Sequence, residues 1–302
     1  MFLQSETIIG MNKKNNIAIM GVIFPLLEKY LHDALDSFNS QTKKDFDVIL
    51  LNDGFKNIEA YKSKYDLNII EVSVSGTPAE IRFNGLKMLK SAGYENIIFA
   101  DMDDFYSENR VEKTSEFLKN FDIVINDLTV MFEHGDIEPA YLSRRIKDMT
   151  PIDLSFVMNK NICGFTNTAI RTSCLKELPE FNKNLTAVDW YLYSYLIKSG
   201  VNAVFTDETT SFYRIYEGNT TGLNGVITEK KIERGIEAKL SNYAALSAYD
   251  LKWHILFDRF LAFSEKMKDG SYKKKYFESV KNISIFHPFW WEEIKLPEEL
   301  NL

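Results

Sequence analysis

Over the first hundred residues, short apolar runs alternate with segments whose apolar positions recur every three or four residues. "IAIMGVIF" (Ile17 to Phe24) is continuous and apolar between Asn16 and Pro25, and it reads as a strand buried on both faces. "LEKYLHDALDSFNSQT" follows, with Leu31, Ala34, Leu35 and Phe38 at helical spacing. "DFDVILLNDG" is a second buried strand, closed by a turn at Asn52-Asp53-Gly54. Asn57 to Tyr65 reads as helical and "LNIIEVSV" as a third strand. Pro78 to Ala92 is a helix with Gly93 near its end, and "NIIFAD" is a fourth strand. This alternation predicts an α/β fold, a mainly parallel sheet with helices on both faces. "FDIVINDLTVMF" continues as strand, so the second half of the sheet is expected to be mixed. No internal repeat or low-complexity segment interrupts the pattern.

From about residue 228 the strand signals fade. The stretch to Gly270 reads as two helices, the first with Ile232, Ile236 and Leu240 at helical spacing, the second ending near Gly270. The expected organisation is a polar leader over residues 1–16, a sheet domain over 17–227 and a C-terminal helical region over 228–302, ending in "SIFHPFWW".

Composition narrows the function classes. The chain has 302 residues, 45% of them hydrophobic, enough for one large domain or a domain with an appendage. A net charge of -7 argues against general nucleic-acid binding, which draws its affinity from neutralised phosphates. No apolar run approaches the roughly 20 residues that cross a bilayer, and the first residues carry no secretory pattern. Cys163 and Cys174 make no disulfide framework, so the expected location is a reducing cytoplasm.

The fourth strand raises the chemical question. In "IIFADMDDFY" an apolar run meets three acids within four positions: Asp101, Asp103 and Asp104. Ligands of an open parallel sheet sit beyond the carboxyl ends of its strands. Two acidic turns fall at such ends, Asp53 after "VILLN" and the Asp101 cluster after "NIIFA". Crowded carboxylates raise one another's pKa unless a cation sits among them. Mg²⁺ or Mn²⁺ takes one or two carboxylates and completes its shell with water and phosphate oxygens. The cluster therefore reads as a clamp for a metal–diphosphate, whereas helix caps and turns would explain one Asp better than three. No G-x-G-x-x-G follows a strand and no G-x-x-x-x-G-K-[ST] occurs, which disfavours a bare dinucleotide fold or a P-loop.

Five blocks, in order, resemble the inverting nucleotide-sugar glycosyltransferases of family 2, which have the GT-A fold. They are "YLHDALDSFNSQTKKDFDVILLNDGF", "RFNGLKMLKSAGYENIIFADMDD" with a D-x-D-D motif, "GFTNTAIRTSCL", "AVDWYLYSYLIKSG" and "FYRIYEGNTTG". Each block is short; their shared order and spacing over residues 17–222 carries the resemblance.

The resemblance implies a nucleotide-sugar donor, most naturally UDP-linked, and an acceptor that is a saccharide or a lipid-linked saccharide. Asp53 would bind the nucleotide base, or simply form a turn beside Gly54. Asp101 or Asp103 would bind ribose hydroxyls. Asp103 or Asp104 would ligate Mn²⁺ or Mg²⁺, with Asp103 the central acid. Asp189 would be the general base, taking the acceptor hydroxyl's proton; Thr186 to Asp189 also resembles a helix-capping box. Arg82 and Asn84 stand where they would hold nucleotide phosphate, position a loop or face solvent. Arg214 would reach the diphosphate or form a surface ion pair. Trp190 and the tyrosines after it would be core or a sugar-stacking wall. Gly164 would admit the acceptor or serve a turn.

The departures are Asn52, where an acid is common, Tyr216, where a late histidine is common, and the lack of Asn after Pro25. They put the nucleotide's identity in question and keep a non-catalytic nucleotide-sugar binder as an alternative. A sugar-phosphate nucleotidyltransferase would need a Gly-rich basic loop, which "GVIFPLLEKY" does not supply. His32, His134, His254 and His287 show no metal spacing. Lysines beside aromatics in "SYKKKYF" and "IFHPFWW" suit three uses: a solvated turn with a packed tail, peripheral contact with an anionic membrane face, or a homodimer contact.

Overall fold

The computed structural model describes residues 12–133, 135–180, 183, 185–216, 227–281 and 285–302. β1 (Ile17–Ile23) is buried along nearly its whole length, as a strand covered on both faces must be. α1 (Leu31–Asn39) buries Leu31, Ala34, Leu35 and Phe38, and β2 (Asp47–Asn52) is buried at every position. α2 (Ile58–Lys62) is shorter than the pattern predicts, because Asn57 enters it in left-handed backbone and Ser63 ends it. β3 (Asn68–Ser73) leads to α3 (Pro78–Ser91) and β4 (Asn96–Asp101). A capping box starts α3: Glu80 N–H donates to Thr77 Oγ1 at 3.3 Å, and Thr77 N–H donates to the Glu80 carboxylate at 2.9 Å.

These four strands are parallel, in the order β3-β2-β1-β4. The chain winds outward from β1 through β2 to β3, then returns to lay β4 on the other side of β1. The strand order therefore reverses between β1 and β4, the point where open α/β sheets open a crevice for ligands.

The remainder adds β5 (Phe105–Tyr106), α4 (Arg110–Phe117), β6 (Ile123–Phe132), β7 (Ile137–Glu138) and α5 (Leu154–Val157). β8 (Thr168–Arg171), α6 (Val188–Lys198) and β9 (Ala203–Ile215) follow. The sheet runs β3-β2-β1-β4-β8-β6-β9-β5, with β7 beside β6. β8 is antiparallel to both neighbours, and β9 is parallel to β6 with a register shift between Asn126 and Asp127. The fold is thus mixed, mainly parallel α/β, as the pattern predicts.

The two helices read up to Gly270 are α7 (Glu229–Leu246) and α8 (Leu251–Lys266), and among the described residues a third, α9 (Gly270–Lys281), follows that the sequence reading does not have. Gly270 reads as a stop, but Asp269 before it restarts the helix by accepting the Tyr272 N–H at 2.8 Å. "SYKKKYF" lies in α9, so it is a helix face rather than a turn.

Alternate residues of each central strand feed opposite cores, as the period of two requires. Ala18, Met20, Ile49 and Leu51 join α3, α6 and the C-terminal helices in one cluster; Ile19, Val48 and Leu50 pack with α1 in the other. The first cluster runs without a break from Phe99 through Trp190 to Tyr243, Trp253 and Tyr276. Among the described residues no helix is long and apolar enough to cross a membrane.

Candidate active site

β4 delivers its acids to the switch point through a tight turn. Asp104 N–H donates to the Asp101 carbonyl at 3.2 Å, and the Tyr106 hydroxyl donates to the same oxygen at 2.7 Å. Met102 points into the core, where it fills the space beside Gly21; a Cβ at that glycine would meet the Met102 sulfur at 2.4 Å. With Met102 anchored inward, Asp101 and Asp103 stay partly exposed while Asp104 is buried.

Each acid has a different environment. Asp101 Oδ1 accepts from Arg82 Nη2 at 3.4 Å. Burial pushes its carboxyl up to about 6, Arg82 opposes that shift, and the negative fields of Asp103 and Asp189 add to it. Asp103 Oδ2 accepts from the Tyr216 hydroxyl at 2.8 Å. Asp104 Oδ1 accepts the Arg214 N–H at 2.8 Å, and its Oδ2 is buried with no hydrogen-bond partner among the described residues. Burial, then the neighbouring acids, raise the Asp104 pKa well above its ordinary value.

Arg110 supports this turn from below and escaped the sequence reading. Its guanidinium is buried, donating to the Phe99 carbonyl at 2.9 Å and to Asn126 Oδ1 at 3.1 Å, and it lies 4.3 Å from the Tyr106 ring centroid. Burial lowers its pKa to about 10, while Asp104 and Asp101 favour its charge. The available signal was an arginine on the inward stripe that α4 shares with Val111 and Thr114.

Asp189 is the second residue of α6, near the helix's positive end. The expected capping box does not form: Ala187 occupies the cap position without a side-chain bond, and Asp189 Oδ1 accepts the adjacent Trp190 N–H at 2.7 Å. Burial pushes the Asp189 carboxyl up to about 6, held back by that N–H and by Arg82. Arg82, whose guanidinium lies 4.8 Å from the Phe165 ring centroid, thus interacts with both Asp101 and Asp189. Trp190 is core: its indole N–H donates to the Val157 carbonyl at 2.6 Å, and Tyr191 and Tyr193 are buried beside it.

Asp53 stands at the end of β2, separated from the Asp101 turn by β1. Its backbone N–H donates to the Ile23 carbonyl at 2.8 Å, while its side chain makes no hydrogen bond among the described residues. Asn52 shapes the turn that presents it. Asn52 Oδ1 accepts the Phe55 N–H at 2.7 Å, and Nδ2 donates to the Phe55 carbonyl and to Glu71. Arg214 makes the ion pair that the plainer reading expected, with Asp33 at 2.7 Å. Gly164 serves a turn, donating its N–H to Asn167 Oδ1 at 2.8 Å. His134 and residues 217–222 of the last sequence block lie outside the described residues.

The donor set fits a hard divalent cation. Asp103 and Asp104 are adjacent carboxylates, and the buried, unbonded Asp104 Oδ2 is an acceptor with no donor. Among the described residues no group of three or more His, Cys, Asp or Glu forms a protein cage. Mg²⁺ commonly takes one or two carboxylates and completes its shell with water and substrate phosphate.

The family model described as glycosyl transferase family 2 matches residues 23–178. No curated protein matches the chain. Solved structures do. Staphylococcus aureus TarS, at 17% identity and a TM-score of 0.55, aligns with 82% of this chain, which spans 42% of that TarS chain. TarS 1–349 in complex with UDP-GlcNAc, at 16% identity and 0.56, aligns over 88% of this chain and 76% of its own. The mannosyltransferase PcManGT from Pyrobaculum calidifontis in complex with GDP-Man and Mn²⁺, at 10% and 0.53, aligns over 91% and 78%. At these identities the likeness shows a shared fold.

Proposed function

The chain belongs to glycosyl transferase family 2, and we propose that it moves a sugar from a UDP-linked donor to a saccharide or lipid-linked saccharide hydroxyl, with inversion. The observation that carries this reading is the gathering of strand-end acids at the switch point, with Arg82 paired to Asp101 at 3.4 Å and favouring the charged form of Asp189.

In the proposed reaction Asp189 takes the proton of the acceptor hydroxyl as that oxygen attacks the anomeric carbon. The bond from that carbon to the diphosphate oxygen breaks on the opposite face, and its electron pair leaves with UDP. One base and one displacement invert the centre without a covalent intermediate. A pKa near 6 suits Asp189: ionised at neutral pH, yet basic enough to receive the proton. Asp53 would meet the uracil and Asp101 the ribose, with Arg82 beside the diphosphate. Asp103 and Asp104 would hold Mn²⁺ or Mg²⁺, which when bound neutralises charge on the departing diphosphate.

Calorimetry with UDP, with and without Mn²⁺, together with a transfer assay on UDP-sugars, tests this. The expected outcome is metal-dependent UDP binding in the wild type, loss of that dependence in Asp103→Ala, and transfer reduced by about 100-fold or more in the variant. Equal UDP affinity with and without metal, or full transfer by Asp103→Ala, would refute the metal role.

A further inference from the structure

We propose that Trp290, carried by the C-terminal segment, forms the wall of an acceptor subsite beside Asp189 and takes a saccharide by stacking against its apolar C–H face. The proposal rests on the glycosyl-transfer reading and names the chemistry of the acceptor at that same site.

Backbone contacts bring the residue there. Asn161 N–H donates to the Trp290 carbonyl at 3.0 Å, an isolated antiparallel bridge between the segment before β8 and the tail. The Asn161 side chain favours the charged form of Asp189 and accepts the Cys163 N–H at 2.9 Å. Asn161 therefore joins the Trp290 backbone to the electrostatic surroundings of the proposed base.

The ring is fixed on its other side. Trp290 meets Tyr213 edge-on, with centroids 5.5 Å apart at 80°. Tyr213 precedes Arg214, whose N–H holds Asp104. The indole thus packs against β9, whose backbone contacts Asp104, while the Trp290 carbonyl meets the segment before β8.

The tail leaves this one tryptophan partly exposed at the edge of the core. Phe289 and Trp291 are buried on either side, whereas Trp290 remains partly exposed. Trp291 adopts φ 65° and His287 φ 47°, left-handed backbone that a bulky residue rarely adopts. Specific contacts hold that conformation. Glu292 accepts the Phe289 N–H at 3.0 Å and pairs with Arg145 at 2.9 Å, and Arg145 lies 4.2 Å from the Phe289 ring centroid. A strained, pinned segment that leaves one large amphipathic ring partly open is the arrangement a stacking platform needs.

Saturation-transfer NMR on the full chain with UDP and Mg²⁺ tests the assignment, with the methyl β-glycosides of glucose, galactose, N-acetylglucosamine and mannose as probes. The wild type is expected to transfer saturation to the C–H protons of at least one glycoside. Trp290→Ala should cut that signal at least fivefold and Trp290→Phe should keep more than half, with UDP affinity within twofold in all three proteins. Unchanged saturation in Trp290→Ala, or none for any glycoside from wild type that binds UDP, would overturn the proposal. Failure of the wild type to bind UDP would instead bring down the glycosyl-transfer reading, and the proposal with it.

Discussion

At Asp189, burial raises the carboxyl pKa from 3.8 to about 6. Between those values the folded state holds a proton that the unfolded state has released, so stability falls as pH rises through the window. Above about pH 6 the cost of the buried charge is fully present; below 3.8 it is gone. Two pH units correspond to up to about 3 kcal/mol. Asp189→Asn keeps the oxygen that accepts the Trp190 N–H, so at pH 7.5 the variant should melt about 2–6 °C higher than wild type, the gap closing near pH 4 by calorimetry. The same variant should lose transfer by about 100-fold or more, and wild-type transfer should fall tenfold per pH unit below about 6. A variant no more stable at pH 7.5 would contradict the burial of this charge. Asn52 and Tyr216 also resolve at this scale. The first ties off the turn before Phe55 and the second donates to Asp103, so both depart from the family pattern while still serving the acids' neighbourhood.

At the scale of elements, α3 positions the cation that interacts with both Asp101 and Asp189. Its first turn is fixed by the Thr77–Glu80 box, five residues before Arg82. Thr77→Ala removes one half of that box and should cost about 1 kcal/mol, read as a lower urea midpoint at unchanged slope. A midpoint equal to wild type would show that packing alone holds the turn. Sequence analysis located α3 and β4 closely, because Pro78 and Gly93 bracket the helix and a continuous apolar run marks the strand. It found the end of α8 near Gly270 but missed α9 beyond it, because Asp269-Gly270 carries a helix start disguised as a stop.

Over the whole molecule, the sheet and the C-terminal helices share a core. Trp190 of α6 packs edge-on against Tyr243 of α7, with centroids 5.8 Å apart, and Gly235 of α7 sits so close to the tail that a Cβ would meet Ile294 at 2.4 Å. Unfolding in urea followed by tryptophan fluorescence and by far-ultraviolet circular dichroism should therefore give coincident transitions. Trp253, Trp290 and Trp291 report on the C-terminal region and the dichroism on the whole chain, so two separated midpoints would mean that the helices unfold independently.

The strands, their burial and the placing of acids at their ends were determined by the sequence itself, because period and turn chemistry act over a few neighbouring residues. So was the family, since its blocks are local. Tertiary structure alone decided that Arg82 pairs with Asp101, that Arg110 lies buried beneath the turn, and that Trp190 is core while Trp290 stands partly exposed on the segment that meets Asn161. The physical reason is separation along the chain. Trp290 reaches Asn161 from 129 residues away, with 161 and 290 numbered in one sequence. Contacts of that range come from how layers pack, and no local pattern of apolar and polar positions encodes them.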